Sequence, residues 1–246
     1  MRRAAATAGL RFALVSIALG CLWAAPVGAR AEPVSLAGTP LEVQLWPGGE
    51  PGYTLVTVTG HIPDDAELPA VARLPLPEGV TVLWSGEILG GPVQDDPVRA
   101  HEIVDVDGGR ALQLTAETSR TVQYEARGPA LTVTSGMTKS VFQWVQSVPT
   151  GDVVFSVRLP AWAESVVIDP MPVGSPRINE AGERLYTLRP AVLSEGHSFT
   201  VTVAYGREGA TGSDSGVPVL PVLAALLVIA LFALGAVVAR ERRRSP

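Results

Sequence analysis

Apolar and polar residues alternate with a period of two through most of the region between residues 33 and 206. In one such stretch Val56 and Val58 alternate with threonines, and in another Phe142 and Trp144 flank a glutamine. Successive side chains of a β-strand point to opposite faces of a sheet, so this alternation is typical of strands with one buried face. Proline and glycine interrupt the stretches at short intervals, as turns do. The pattern predicts an all-β fold, and its many short strands favour a β-sandwich.

A weak internal repeat runs through this region. Residues 54–82 and 140–168 each contain an alternating strand, a proline, an acidic turn, an apolar strand that ends in Arg-Leu-Pro, and a glutamate before the next strand. The triplet lies at residues 73–75 in the first copy and at 158–160 in the second. Two further correspondences complete the repeat: residues 107–114 resemble 181–188, and each copy closes with a strand that ends in glycine, at Gly128 and Gly206.

The repeat predicts two tandem immunoglobulin-like β-sandwich modules, residues 32–128 and 129–206, each near the size of such a domain. The boundary between them would lie near Gly128 and Pro129. Immunoglobulin domains of antibodies carry a pair of core cysteines, which these residues lack, so the prediction concerns the architecture and not the family. One larger, jelly-roll-like sandwich is the alternative organisation.

Residues 1–31 have the layout of a secretory signal peptide. Three arginines, Arg2, Arg3 and Arg11, precede an apolar stretch at residues 12–29, and a small-x-small cleavage site follows at residues 29–31. An uncleaved N-terminal anchor and a lipoprotein modified at Cys21 are the alternatives. We expect cleavage, because Pro26 disfavours a continuous anchoring helix and the residues around Cys21 do not resemble a lipidation site.

The C-terminal part of the chain predicts a membrane anchor. Residues 217–239 contain no charge, and at 1.5 Å per residue they are long enough to cross a hydrocarbon core of about 30 Å. Four arginines follow within residues 240–246, so the positive-inside rule places this tail in the cytoplasm and residues 32–216 outside. We therefore expect a single-pass type I protein of the cell membrane, with an extracellular or periplasmic ectodomain and a flexible linker at residues 207–216.

Two further interpretations concern the anchor itself. Gly235 and Ala239 form a small-xxx-small pair, which favours close packing of two membrane helices. The order of linker, apolar span and arginines also resembles the layout of bacterial sorting signals, but the LPxTG motif is absent, and we expect the span to be retained.

Composition excludes several classes of function. The predicted ectodomain, residues 32–206, carries 21 Asp and Glu against 10 Lys and Arg, a net charge of −11. Such a surface does not suit nucleic acid, which requires clustered basic groups. The sole cysteine is Cys21, so the mature chain would have neither a disulfide nor a thiol nucleophile. Lys139 is the sole lysine beside many arginines, a bias typical of a GC-rich genome, and we expect a bacterial protein.

No catalytic, cofactor-binding or metal-binding residues are predicted. The three histidines, His61, His101 and His197, have no metal-ligand spacing, and there is no G-x-S-x-G motif. Residues 105–109, Asp-Val-Asp-Gly-Gly, lack the later ligands of an EF-hand loop and predict a hairpin turn, with calcium as the alternative. Acidic pairs at residues 64–65 and 95–96 are further calcium candidates. We expect no cofactor and no enzyme activity.

Four tryptophans remain as candidate contact residues. Trp144 shares a face with Phe142 and is expected in the core, whereas Trp46, Trp84 and Trp162 lie at strand ends or loops, where an aromatic side chain can contact a partner. The leading hypothesis is a non-catalytic, membrane-anchored protein that binds a protein or a cell-envelope partner. Its alternatives are an accessory subunit assembled through the span, and a metal-binding envelope protein.

Overall fold

A computed structural model describes residues 32–207, and in this part of the chain the prediction of an all-β fold is confirmed. Fourteen strands are joined by turns and by one 3₁₀ turn at Val93–Asp95. The first seven strands are β1 (Leu41–Glu50), β2 (Tyr53–His61), β3 (Ala70–Pro75), β4 (Thr81–Glu87), β5 (His101–Val106), β6 (Gly109–Ala116) and β7 (Thr121–Ala130). The last seven are β8 (Thr132–Thr134), β9 (Met137–Val145), β10 (Val153–Leu159), β11 (Ala163–Asp169), β12 (Arg177–Ile178), β13 (Arg184–Thr187) and β14 (Ser198–Arg207).

The strands form three sheets. The largest has seven strands in the order β12-β13-β10-β1-β2-β7-β4, and the smaller sheets have the orders β11-β14-β9-β8 and β3-β6-β5. Neighbouring strands run antiparallel in every ladder between named strands except one, where β1 and β10 pair in parallel with Leu41 opposite Val153 and Leu45 opposite Val157.

Both smaller sheets pack on the same face of the seven-stranded sheet. Val43 on β1 lies opposite both Val58 and Phe155, so these three side chains share one face. Next to Val58, Tyr124 donates a hydrogen bond of 2.6 Å to the carbonyl of Pro75 in the three-stranded sheet. On the other side, the Phe155 ring packs against aromatic side chains of the four-stranded sheet. The result is a two-layer sandwich with one continuous apolar core.

The strand order of the first half recurs in the second half. The order β1-β2-β7-β4 facing β3-β6-β5 corresponds to β8-β9-β14-β11 facing β10-β13-β12. The repeat found in the sequence aligns β2 with β9, β3 with β10 and β4 with β11, strand for strand. Gly128 and Pro129, where we placed the module boundary, lie inside β7 close to its end at Ala130.

The immunoglobulin-like arrangement is wrong in its strand order. In an immunoglobulin constant domain the last strand lies beside the sixth, whereas here β7 lies between β2 and β4, and β5 lies beside β6. The pairs β2–β7 and β3–β6 are nested in sequence, the inner pair lying between the strands of the outer pair. Periodicity specifies which face of a strand is buried, and it carries no information about which strand lies next to it.

The two halves also share structure that separate modules would not share. The β1–β10 ladder joins the first half to the second within one sheet, and Thr54 Oγ1 lies 2.6 Å from Ser140 Oγ in the interior. At the tip of the β5–β6 hairpin, a Cβ on Gly108 would lie 2.6 Å from Glu195 Cγ and 2.8 Å from the carbonyl oxygen of Ser147. The first half therefore packs directly on the second through ladder, core and hairpin tip.

Several sequence predictions lie outside the described residues. These are the signal peptide at residues 1–31 with Cys21, the span at 217–239 with Gly235 and Ala239, and the tail at 240–246. Of the predicted linker, residue 207 is described and ends β14. Within residues 32–207, no helix has the length and apolar character needed to cross a membrane.

Candidate ligand-binding face

The face of the seven-stranded sheet opposite the core has half-exposed side chains and faces away from both smaller sheets. We call it the outer face. It is formed by the outward residues of β13, β10, β1, β2, β7 and β4. These are Leu185, Thr187, Val154, Ser156, Arg158, Glu42, Gln44, Trp46, Leu55, Thr57, Thr59, Gln123, Glu125, Arg127, Thr81 and Trp84.

A straight row of mostly polar residues crosses the middle of the outer face. Residues that lie directly opposite one another on six adjacent strands form it, and we call it the polar row: Thr187, Ser156, Gln44, Thr57, Glu125 and Trp84. With strands about 4.8 Å apart, the row is about 24 Å long. Within the described part of the chain, the side chains of Ser156, Gln44, Thr57 and Glu125 have no hydrogen-bond or ion-pair partner. Their hydrogen-bonding groups are therefore available to a ligand.

Trp84 ends the row on β4. A Cβ on Gly86 would lie 2.6 Å from Cζ2 and 2.8 Å from Cη2 of the Trp84 indole, so the ring lies over the backbone of Gly86. Glycine at this position allows the six-membered ring to lie along the strand. The indole is held at the end of the row by the chain beneath it.

The other end of the row borders a small depression. Its volume is about 170 Å3, and it is lined by Gln44, Arg158, Asn179, Glu183 and Leu185. Arg158 Nε donates a hydrogen bond of 2.8 Å to Glu183 Oε2, and Asn179 Nδ2 donates one of 2.7 Å to the same oxygen. These hydrogen bonds, first from Arg158 and then from Asn179, lower the pKa of Glu183. The polar wall of the depression is thus held in place before any ligand binds.

Arg158 also covers Trp46. Its guanidinium carbon lies 3.9 Å from the centroid of the indole, a cation–π contact across the β1–β10 junction. A Cβ on Gly49 would lie 2.6 Å from the same ring, so the backbone packs closely against it. Trp46 therefore supports Arg158, whereas Trp84, the tryptophan of the polar row, has no cation–π contact with any residue in the range 32–207.

Glu125 carries the unpaired charge of the row. Burial raises the pKa of its carboxyl group, and no cation offsets that effect within the described residues. The nearby cation Arg127 contacts Glu50 at 3.5 Å and lies over the ring of Tyr53 at 5.1 Å. The row therefore presents a negative group and no unpaired positive one.

A serine–histidine pair lies on the core side of β4, where Ser85 is opposite Tyr124, and its hydrogen bonds do not suit nucleophilic catalysis. Ser85 Oγ lies 2.9 Å from His101 Nδ1 and 2.8 Å from the carbonyl oxygen of Arg99. A carbonyl oxygen only accepts, so the single hydroxyl proton lies on that bond, and Ser85 accepts a hydrogen bond from Nδ1. A general base would have to accept the proton of Ser85 instead.

Glu87, two residues further along β4, is a fully buried carboxylate with a structural role. It accepts hydrogen bonds from Arg99 Nε and from the backbone N–H groups of Glu117, Thr118 and Ser119. Burial alone would raise its pKa, but these donors outweigh burial and lower the pKa to about 2. The carboxylate holds the β6–β7 turn against β4, and its oxygens are occupied.

The other sequence candidates are dispersed. Across residues 32–207, no three or more histidine, cysteine or acidic side chains converge as metal ligands, so the acidic pairs at 64–65 and 95–96 do not form a common site. His61 lies 3.6 Å from Asp64, with no third ligand. The hairpin turn predicted after Asp107 is confirmed as the β5–β6 turn.

The remaining tryptophans differ in how far they are buried. Trp144 is fully buried, as predicted, with its ring centroid 5.8 Å from that of Phe155. Trp162 is 46% exposed and lies 5.7 Å from the ring of Tyr205. The polar row was not foreseen, because its members come from both halves of the chain. Alternation marks each of them as outward, but only the register shows that they form one line.

Comparison with known proteins adds little about this site. No family model matches the chain, and no curated protein matches it. Among solved structures, native leukotriene A4 hydrolase from Saccharomyces cerevisiae is similar with a TM-score of 0.41 and 13% sequence identity. The match covers 69% of this chain and 29% of the yeast enzyme, so the chain spans less than a third of that protein's length.

Proposed function

We propose that this chain is a non-catalytic, membrane-anchored extracytoplasmic β-sandwich protein that binds a protein or cell-envelope partner through its outer face. The proposal rests on one observation above the others. Four adjacent polar side chains of the polar row (Ser156, Gln44, Thr57 and Glu125) have no hydrogen-bond or ion-pair partner in the described part of the chain. The backbone groups of the strands that carry them are regularly paired.

The location in this proposal comes from the ends of the sequence. A cleaved signal peptide at residues 1–31 and a span at 217–239 with four following arginines would place the sandwich outside a bacterial cell membrane. Residues 32–128 and 129–206 would then be two copies of one ancestral module, joined by the β1–β10 ladder.

A cross-linking experiment tests the proposal. The chain has no cysteine after Cys21, so Thr57→Cys introduces a single thiol into the polar row of the mature protein. Gln143→Cys, on the exposed side of β9, is the matched control. We expect a maleimide photocross-linker on intact cells to yield an adduct of higher mass from Thr57→Cys and not from Gln143→Cys. Equal adducts from both variants, or none from either, would contradict a role for the outer face.

The accessory-subunit alternative rests on Gly235 and Ala239 and makes a different prediction. If the span is the working interface, replacement of residues 217–239 by an unrelated apolar helix abolishes partner capture from solubilised membranes. If the outer face is the interface, the same replacement leaves capture unchanged. The metal-binding alternative requires a bound metal in the purified protein, which elemental analysis measures directly.

A further inference from the structure

We propose that the polar row binds a neutral polysaccharide, with the sugar chain lying across the strands from the depression at Asn179 towards Trp84. This inference rests on the proposed function, because it names the class of partner that the outer face takes.

The spacing of the row suits an extended, repeating ligand. Hydrogen-bonding side chains recur at every strand, about 4.8 Å apart, for about 24 Å. Each of Ser156, Gln44 and Thr57 offers both a donor and an acceptor, which is what a series of sugar hydroxyls requires. A peptide strand could not be recognised through backbone hydrogen bonds here, because those groups of β1, β2 and β7 are engaged in ladders on both sides.

The two ends of the row offer different contacts. The indole of Trp84, held over Gly86, presents an aromatic surface against which the C–H face of a sugar ring can pack. The depression beside Gln44 measures about 170 Å3. Enclosed small-molecule sites measure roughly 300–1,000 Å3, so the depression fits one unit of a longer ligand rather than a complete cofactor.

The charges of the outer face favour a neutral polysaccharide over other polymers. Among residues 32–207 Glu125 has no ion-pair partner, whereas Arg158 and Arg127 form ion pairs with Glu183 and Glu50. With a net charge of −11 over residues 32–206, the surface repels polyanions such as nucleic acids and acidic polysaccharides. A protein partner would require an apolar anchor at the centre of the contact, and the centre of this row is polar.

Co-sedimentation with insoluble polysaccharides tests the inference. Full-length protein in detergent is incubated with cellulose, chitin, xylan or mannan particles, and the bound fraction is measured over a range of particle concentrations. We expect at least one of these to sediment the protein, with carboxymethylated particles of the same polymer binding less. Gln44→Ala and Trp84→Ala should each weaken binding about fivefold to tenfold, the effect of losing one good contact. Gln143→Ala, a glutamine exposed on the opposite layer, should bind as the unsubstituted protein does.

The outcomes distinguish this inference from the proposed function. No sedimentation with any of the four polymers, equal weakening by Gln44→Ala and Gln143→Ala, or tighter binding to the carboxymethylated particles would overturn it. A protein adduct at Thr57→Cys together with any of those results would leave the outer face as a binding surface and reject the polysaccharide. Circular dichroism of each variant shows whether a loss of binding reflects a loss of fold.

Discussion

The strands β3 and β10 occupy the same place in the two halves of the molecule, and each ends at an Arg-Leu-Pro triplet whose proline is the last residue of β3 and the first residue after β10. Their surroundings differ. β3 has a single strand partner, β6, whereas β10 lies between β13 and β1. Arg73 on β3 donates a hydrogen bond of 2.9 Å to Gln113 on β6. Arg158 on β10 binds Glu183 and covers Trp46 of β1. The repeated arginine becomes part of a larger site only where a strand of the other half lies beside it.

The core side chains of these two strands also differ between the halves. When the triplets are aligned, Ala70 on β3 corresponds to Phe155 on β10. Phe155 stacks on Phe199 at 4.7 Å and meets Trp144 edge-on. The second half therefore relies on aromatic packing at a position where the first half has a methyl group.

The largest expected effect breaks this aromatic packing. Phe155→Ala should lower the free energy of unfolding by about 3–5 kcal/mol, because it leaves a cavity at the junction of both halves. Urea unfolding of residues 32–207 measures the loss. Phe155→Leu, which keeps most of the volume, should cost distinctly less. Equal losses from the two variants would show that the filled volume contributes little and that the aromatic contacts, which both variants lose, account for the effect.

The second-largest expected effect on stability concerns the last residues of β4 and β11, which occupy equivalent places in the two halves. Glu87 is buried with a pKa near 2, whereas Asp169 is exposed. Because the folded-state pKa of Glu87 lies below its ordinary value of 4.5, its contribution is present above pH 4.5 and is lost as the pH falls towards 2. That contribution is about 3 kcal/mol.

Glu87→Gln should therefore reduce the stability at pH 7 by about 3 kcal/mol and flatten the acid-induced loss between pH 4.5 and 2. Asp169→Asn, at the exposed end of the equivalent strand, is the matched control for the loss of one carboxylate. Thermal unfolding followed by circular dichroism at several pH values measures both. An unchanged acid profile in Glu87→Gln would show that other carboxylates dominate the acid response.

A smaller effect compares the two repeated arginines directly. Arg158→Ala should cost about 1–2 kcal/mol, because it removes two charge-assisted hydrogen bonds to Glu183 and the cation–π contact with Trp46. Arg73→Ala removes one hydrogen bond to a neutral acceptor and should cost about 0.5–1 kcal/mol. Equal losses in urea unfolding would mean that the β1 strand adds nothing to the environment of Arg158.

The smallest effect concerns Glu125. Burial raises its pKa in the folded state, so the charged form destabilises the fold at neutral pH, and that cost disappears as the pH falls through the folded-state pKa. Glu125→Gln should stabilise the protein at pH 7 by up to about 1 kcal/mol, an effect reduced by partial solvent exposure. A destabilised variant would indicate that Glu125 has a partner in the folded protein.

Much of the fold was predictable from residue order, whereas the arrangement of its strands was not. Alternation identified the strands and the inward faces of Phe142 and Trp144, and the Arg-Leu-Pro triplets aligned β3 with β10. The immunoglobulin-like order failed because a strand with one buried face can pair with any neighbour that completes the sheet. The meeting of Gln44 and Ser156 in the polar row was equally unpredictable. It depends on the pairing of β1 with β10, which long-range packing determines and no local sequence pattern indicates.

The β1–β10 ladder also has a consequence for the time course of folding. Residue 41 leaves the ribosome long before its partner at 153, and chains grow at about 5–20 residues per second. For several seconds the newly made β1 is hydrogen-bonded to β2 along one edge, while the backbone N–H and C=O groups of its other edge are unpaired and can bind another strand. A nascent chain in this state is vulnerable to pairing with another copy of itself until β10 is made and completes the sheet.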